Sequence, residues 1–132
     1  MEMVTEAPLD PGTLFEKIRK NGSGSVLFHY AVVKSQTGDK ASSGILFEQD
    51  GDVEAELAGI AADVRGRWNV DDVLLVRRIG TLKVGDVISL VAVSSPASHD
   101  AFEACRFGLE RLKKMASLKK TELLRDHGKN LP

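Results

Sequence analysis

The chain alternates between two kinds of hydrophobic patterning, and the switches between them mark its elements. "SVLFHYAVVK" (residues 25–34) is dense in β-branched and aromatic residues and predicts a strand. "GILFEQ" (44–49) predicts a second, shorter strand, and the polar "SQTGDKASS" between them (35–43) reads as a mobile loop. From Val53 the period becomes helical, with Val53, Leu57, Ile60, Ala61, Val64 and Trp68 on one face. "VLLVRRIG" (73–80) and "DVISLVAVSS" (86–95) return to strand, joined by the turn-rich "TLKVG". Their nearly continuous apolar runs predict burial on both faces. Upstream, "PGTLFEKIRKNGSG" predicts a short helix ending in a Gly/Ser turn at 21–24, and residues 1–11, closed by Pro8 and Pro11, read as a loose arm.

A last helix has a legible start. Ser95 can cap it, Pro96 suits its first position and Asp100 complements the dipole. If it runs on through "RLKKMASLKK" (111–120), its apolar stripe is Phe102, Cys105, Leu109, Leu112 and Ala116. At about 100° per residue, Lys114 points away from that stripe. Lys113 and Lys120 lie about 50–70° from its centre, on one border, two turns and about 10.5 Å apart. Lys119 borders the other flank. Lysines so placed either snorkel over the edge of the core or do chemistry, and the pattern alone leaves both open. The order α, β, β, α, β, β, α is that of an α+β domain, with helices covering one side of a mostly antiparallel sheet. Three segments result: an arm (1–11), one domain (12–122) and a tail (123–132) expected to be partly disordered.

Composition narrows the function classes. A chain of 132 residues with 42% hydrophobic and 28% charged residues builds a single core without staples. The net charge of −1 argues against a bulk grip on nucleic acid. One cysteine, Cys105, excludes an intrachain disulfide, and its place on the core stripe makes it an inert thiol. His29, His99 and His127 show no metal-ligand spacing, so no metal is expected, and His29 inside a strand reads as a packed or surface residue. There is no GxGxxG, GxxxxGK[ST] or G-x-S-x-G motif. No apolar run reaches the length of a membrane span and the acidic N-terminus has no signal-peptide core, so the cytoplasm is expected. Arg77 and Arg78 project from opposite faces of a strand, so at least one meets solvent or a partner.

The stretch "RWNVDDVLLVRRIGTLKVGDVISLVAV", followed by "AFEACRFGLERLKK", resembles the large, catalytic subunit of molybdopterin synthase, the MoaE family. With "GSVLFHYAVVK" placed on that family's first long strand, the resemblance covers residues 8–122. It implies an α/β hammerhead fold and a homodimer. The near-continuous apolar strands supply a second argument for the dimer, since one helix layer would leave part of that surface uncovered. Each large subunit would bind a small ubiquitin-like subunit whose C-terminal Gly-Gly carries a thiocarboxylate. That tail would donate sulfur to a cyclic pyranopterin monophosphate, making molybdopterin without a cofactor or metal.

The resemblance also gives the lysines roles. The family's essential lysine after AFEAC matches Lys113, and a second, seven residues on, matches Lys120; both are expected to be catalytic. An ammonium beside an anionic ligand can transfer a proton and stabilise charge. Lys34 stands where the family has an arginine and is expected to hold phosphate. Thr121 and Glu122, directly after Lys120, are expected to contact substrate, and His99, two positions late, can substitute for the family's His-Arg pair only if the helix start is shifted. That pair falls here on Ala97 and Ser98. Ala31 replaces a glycine, Lys119 replaces an aromatic residue, and the family's Trp-containing tail has no counterpart. A second reading follows from these departures: a catalytically degenerate homologue that binds or regulates the sulfur carrier.

Overall fold

In the computed structural model, which describes residues 1–124, the two apolar runs become the centre of a four-stranded sheet. Along the chain the elements are β1 (Glu2–Thr5), α1 (Pro11–Lys17), β2 (Ser25–Val32), β3 (Gln36–Thr37), β4 (Lys40–Gln49) and α2 (Val53–Arg67). There follow β5 (Asp72–Arg78), β6 (Gly80–Lys83), β7 (Val87–Ser95), α3 (Ser98–Leu112) and β8 (Leu118–Leu124). The first sheet has the order β1-β5-β7-β2, antiparallel except for the β1–β5 pair. In the second, β4 is flanked by β6 and β8, and the two-residue β3 folds back on the start of β4. None of the described helices is long and apolar enough to cross a membrane.

Strand alternation divides β5 and β7 between two cores. Val73, Leu75, Val91 and Val93 face α2 and α3, while Leu74, Val76, Leu90 and Ala92 meet Leu14 of α1 and Ile18, which caps its C-terminus. Helices therefore cover both faces of this sheet, not one. The apolar surface that argued for a dimer is already covered within the chain. Asp10 starts α1 by accepting from the Gly12 amide and the Thr13 hydroxyl, and Asp52 starts α2 by accepting from the Ala55 amide. A third cluster of Val33, Ile45, Phe47 and Leu82 fills the space under the second sheet. Gly44 sits at a bulge in β4 with φ +150°, where a Cβ would collide with the Leu82 carbonyl.

The structure corrects five further expectations. The arm at 1–11 is not loose: Glu2–Thr5 adds a parallel strand to β5, and the Leu75 amide donates to the Met1 carbonyl. The loop at 35–43 is a tight hairpin, closed by the Ser42 amide on the Ser35 carbonyl. Ser95 does not cap α3. It is the buried end of β7, and its hydroxyl donates to the Asn69 carbonyl (2.6 Å) while accepting from the Ala97 amide (3.1 Å). The helix begins three residues later, with Ala97 at its cap and no side-chain cap bond. The buried face of α3 is also rotated from the stripe drawn on large residues. Ala101, Ala104, Cys105, Gly108 and Leu112 are buried, whereas Phe102 is 60% exposed. Small side chains let the helix lie close to β7; a Cβ on Gly108 would stand 3.1 Å from Val91 Cγ1.

The fifth correction decides the site. The helix does not run through to Lys120 but ends at Leu112, with Lys113 as its C-cap. Glu56, reaching across from α2, takes the Ala116 amide (3.0 Å), the Ser117 amide (2.9 Å) and the Ser117 hydroxyl (2.6 Å) on its carboxylate. Burial alone would raise the Glu56 pKa; these three bonds, with the nearby charge of Arg111, outweigh it and hold the carboxyl below its ordinary 4.5. The chain turns there and returns as β8, antiparallel to β4. Of the tail expected at 123–132, Leu123 and Leu124 belong to β8, and the remainder, His127 included, lies outside the described residues.

Candidate functional site

At the end of α3 a cavity of about 410 Å³ is lined by residues of both sheets and by Leu109, Leu112 and Lys113. That is within the usual size of a small-ligand site. Strand periodicity chooses which residues of β8 enter it. Lys120 lies opposite Phe47 and Glu122 opposite Ile45, and Phe47 and Ile45 are the buried residues of β4. Lys120 and Glu122 therefore point into the cavity. Lys119 and Thr121 lie opposite Glu48 and Leu46, on the other face.

Four of the six residues expected to form the site share this cavity: Lys34, Lys113, Lys120 and Glu122. Lys113 reaches it as the C-cap of α3 rather than from a helical face. Lys34 follows Val33, which is buried and pinned by backbone bonds to Asp86 and Gly85 at the β6–β7 turn. Lys120 Nζ is 3.3 Å from Glu122 Oε1, and Glu122 Oε2 is buried without a hydrogen-bond partner. Two residues do not join. Thr121 is exposed on the opposite face of β8. His99 is exposed in the first turn of α3, at the far end of a 15-residue helix from Lys113. At 1.5 Å per residue that separation is about 20 Å, too far for both to serve one cavity within a chain.

Sequence reasoning missed Arg77. It continues the face of Val73 and Leu75, the face that looks toward α2 and α3, and lines the cavity at the point where α3 ends. The same alternation in "VLLVRR" carried that signal: a residue two positions beyond Leu75 faces the helices. Arg77 is only 7% exposed, and its guanidinium lies over the Phe47 ring with Cζ 4.3 Å from the centroid. Its Nε has no hydrogen-bond partner among the described residues. Burial pushes its pKa down to about 10, so it remains charged at neutral pH. Arg78, on the other face, pairs with Asp86 at 3.4 Å and steadies the β6–β7 turn.

The cavity thus gathers four cations and one carboxylate around an apolar floor that includes Ile45, Phe47 and Leu112. Such a site attracts an anion, can hold a planar ring against apolar walls and offers ammonium groups for proton transfer. Among the described residues no group of His, Cys, Asp and Glu could hold a metal ion. Cys105 is buried, its thiol pushed up to about 11 by that burial, and it takes no part in the cavity.

Comparison with known proteins places these features in a family. The family described as MoaE protein matches residues 4–115. This chain belongs to it. The molybdopterin synthase catalytic subunit of Haemophilus influenzae is 33% identical over 121 residues, covering 90% of this chain and 81% of that protein. The crystal structure of molybdopterin synthase from Staphylococcus aureus superposes with a TM-score of 0.85 at 27% identity, covering 93% of this chain and 90% of that one. The fold is therefore the one that the sequence resemblance implies. A complex of subunits 1 and 2 of molybdopterin-converting factor from Helicobacter pylori contains the same fold, with a TM-score of 0.70 at 14% identity over 96% of this chain and 91% of that one.

Proposed function

We propose that this MoaE-family chain is the catalytic subunit of a molybdopterin synthase. The observation that carries the reading is the convergence of Lys34, Lys113, Lys120 and Glu122 with buried Arg77 in one cavity. In the proposed reaction a small sulfur-carrier subunit presents its C-terminal Gly-Gly thiocarboxylate to a cyclic pyranopterin monophosphate. For each sulfur transferred, the thiocarboxylate sulfur replaces a substrate oxygen, exchanging a carbon–oxygen bond for a carbon–sulfur bond. Water then cleaves the carrier's acyl carbon–sulfur bond, so that the carrier leaves as a carboxylate. Lys113 and Lys120 supply the proton and stabilise the charge that develops on the departing oxygen. Glu122, 3.3 Å from Lys120, returns the proton between transfers. The chemistry proposed uses no metal or cofactor.

The degenerate-homologue reading rests on the absent His-Arg pair at Ala97 and Ser98, but the lysines and the cavity that would do the chemistry are intact. Conversion of the pyranopterin precursor by this chain with a thiocarboxylated carrier tests the proposal. Binding of the carrier without any turnover would favour the degenerate homologue.

Lys34 is assigned to the substrate phosphate. Lys34→Ala is expected to weaken precursor binding by about 1–3 kcal/mol, the loss of a charge-assisted hydrogen bond. Unchanged affinity in a calorimetric titration removes Lys34 from the site. A homodimer is also proposed, supported now by β2, an edge strand paired only with β7 among the described residues. Sedimentation as a monomer at tens of micromolar, a range set against ordinary dimer affinities of about 1 μM or tighter, would refute it.

A further inference from the structure

Arg77 differs in kind from the other cations of the cavity. Lys34, Lys113 and Lys120 are exposed at its mouth, where water and salt screen them, whereas Arg77 is buried at its floor. A buried guanidinium without a counter-charge is costly and normally has a partner. The cavity's own carboxylate does not serve, because Glu122 is turned toward Lys120. Among the described residues no carboxylate comes within ion-pair distance of Arg77, and its Nε–H stays unbonded.

The surroundings define what would fit. One face of the guanidinium is covered by the Phe47 ring, so a ligand must approach its edge, in plane. The register across β5, β7 and β2 puts Arg77, Ser89 and Ala31 in one row, all lining the cavity. Ser89 and Ala31 are small, so no bulky side chain of that row stands beside Arg77 on the cavity floor. A planar carboxylate meets a guanidinium edge through two parallel bonds. A phosphate can meet a guanidinium in the same way, but the exposed lysines of the cavity already offer it cations.

We propose that Arg77 is the anchoring residue for the C-terminal carboxylate, or thiocarboxylate, of an extended Gly-Gly tail inserted into this cavity. The inference deepens the sulfur-transfer reading and rests on it for the nature of the tail. It leaves Lys34 for phosphate and Lys113 and Lys120 for proton transfer, so that the two anions of the reaction are held by different groups.

The test follows the Arg77 Nε–H signal by nitrogen-15 NMR on the full chain, assigned by its loss in Arg77→Gln. Three probes are titrated: a short peptide ending in Gly-Gly as the free acid, the same peptide as its C-terminal amide, and inorganic phosphate. The free acid is expected to shift the Nε–H signal and to bind about tenfold or more tightly than the amide, the discrimination that a charged hydrogen bond provides. Arg77→Gln is expected to erase that preference. An unmoved Nε–H signal, equal binding of acid and amide, or a shift produced by phosphate as strongly as by the acid would each overturn the assignment. Turnover is measured separately. A chain that converts no precursor but still shows the acid preference loses the enzyme reading and keeps the anchor; one that turns over without the preference does the reverse.

Discussion

Lys120→Ala and Lys113→Ala are each expected to lower sulfur transfer by at least about 100-fold, the usual weight of a positioned proton donor. Both should leave the melting temperature within about 3 °C, because neither side chain is part of a packed core. The controls are set by strand periodicity. Lys119 lies opposite Glu48 on the far face of β8, and Lys114 is exposed in the turn after α3. Alanine at either position should leave turnover within about twofold, since exposed substitutions away from a site change little, under about 0.5 kcal/mol. The sequence left Lys119 between lining the pocket and ending the helix; it does neither, since it lies within β8 on the face away from the cavity. Activity and melting temperature for all four single variants make the comparison. Small, equal losses at the four positions would mean that the lysines act only as a diffuse positive field, and the catalytic assignment would fall.

How much of this was legible in the sequence depended on whether a feature was local. The 3.6 period of α2 and the apolar runs of β5 and β7 are set by their own residues, and the sequence reading of each matches the structure. The lysine pair was found by resemblance and by a helical angle, and the angle's premise was wrong. Lys113 and Lys120 share a cavity because a turn and a strand intervene, not because a helix continues. Nothing within "RLKKMASLKK" announces that turn, since its acceptor, Glu56, lies sixty residues upstream of Ala116. The rotation of α3 was missed for a related reason. The stripe was drawn on large residues, while the sheet accepted small ones, Ala101, Ala104 and Gly108, and left Phe102 outside. Arg77 was legible in alternation alone, but its burial beneath Phe47 depends on the second sheet, which local patterning does not reveal. β1 escaped because a four-residue edge strand carries too little pattern to be distinguished from coil.

Glu56 is expected to matter to catalysis although it does not line the cavity. Its carboxylate holds the two amides and the hydroxyl that reverse the chain between α3 and β8. Glu56→Ala leaves those three donors without their acceptor. The expected cost is about 2–4 kcal/mol, or roughly 10 °C in melting temperature. Turnover measured well below melting should also fall, by about tenfold, because β8 then delivers Lys120 and Glu122 less accurately and small misplacements weigh heavily on proton transfer. The effect has a pH signature. Since the Glu56 pKa is lower in the folded chain than its ordinary 4.5, the native state binds fewer protons there than the unfolded state. Its contribution is therefore fully present above about pH 4.5 and is lost as pH falls through the lower folded value. Between pH 6 and pH 3 the parent chain should lose stability more steeply than Glu56→Ala, and the gap between their melting temperatures should narrow. A constant gap across that range would show that the charge on Glu56 is not what holds the turn. Unchanged melting temperature and turnover would show that the β4 ladder positions β8 without it.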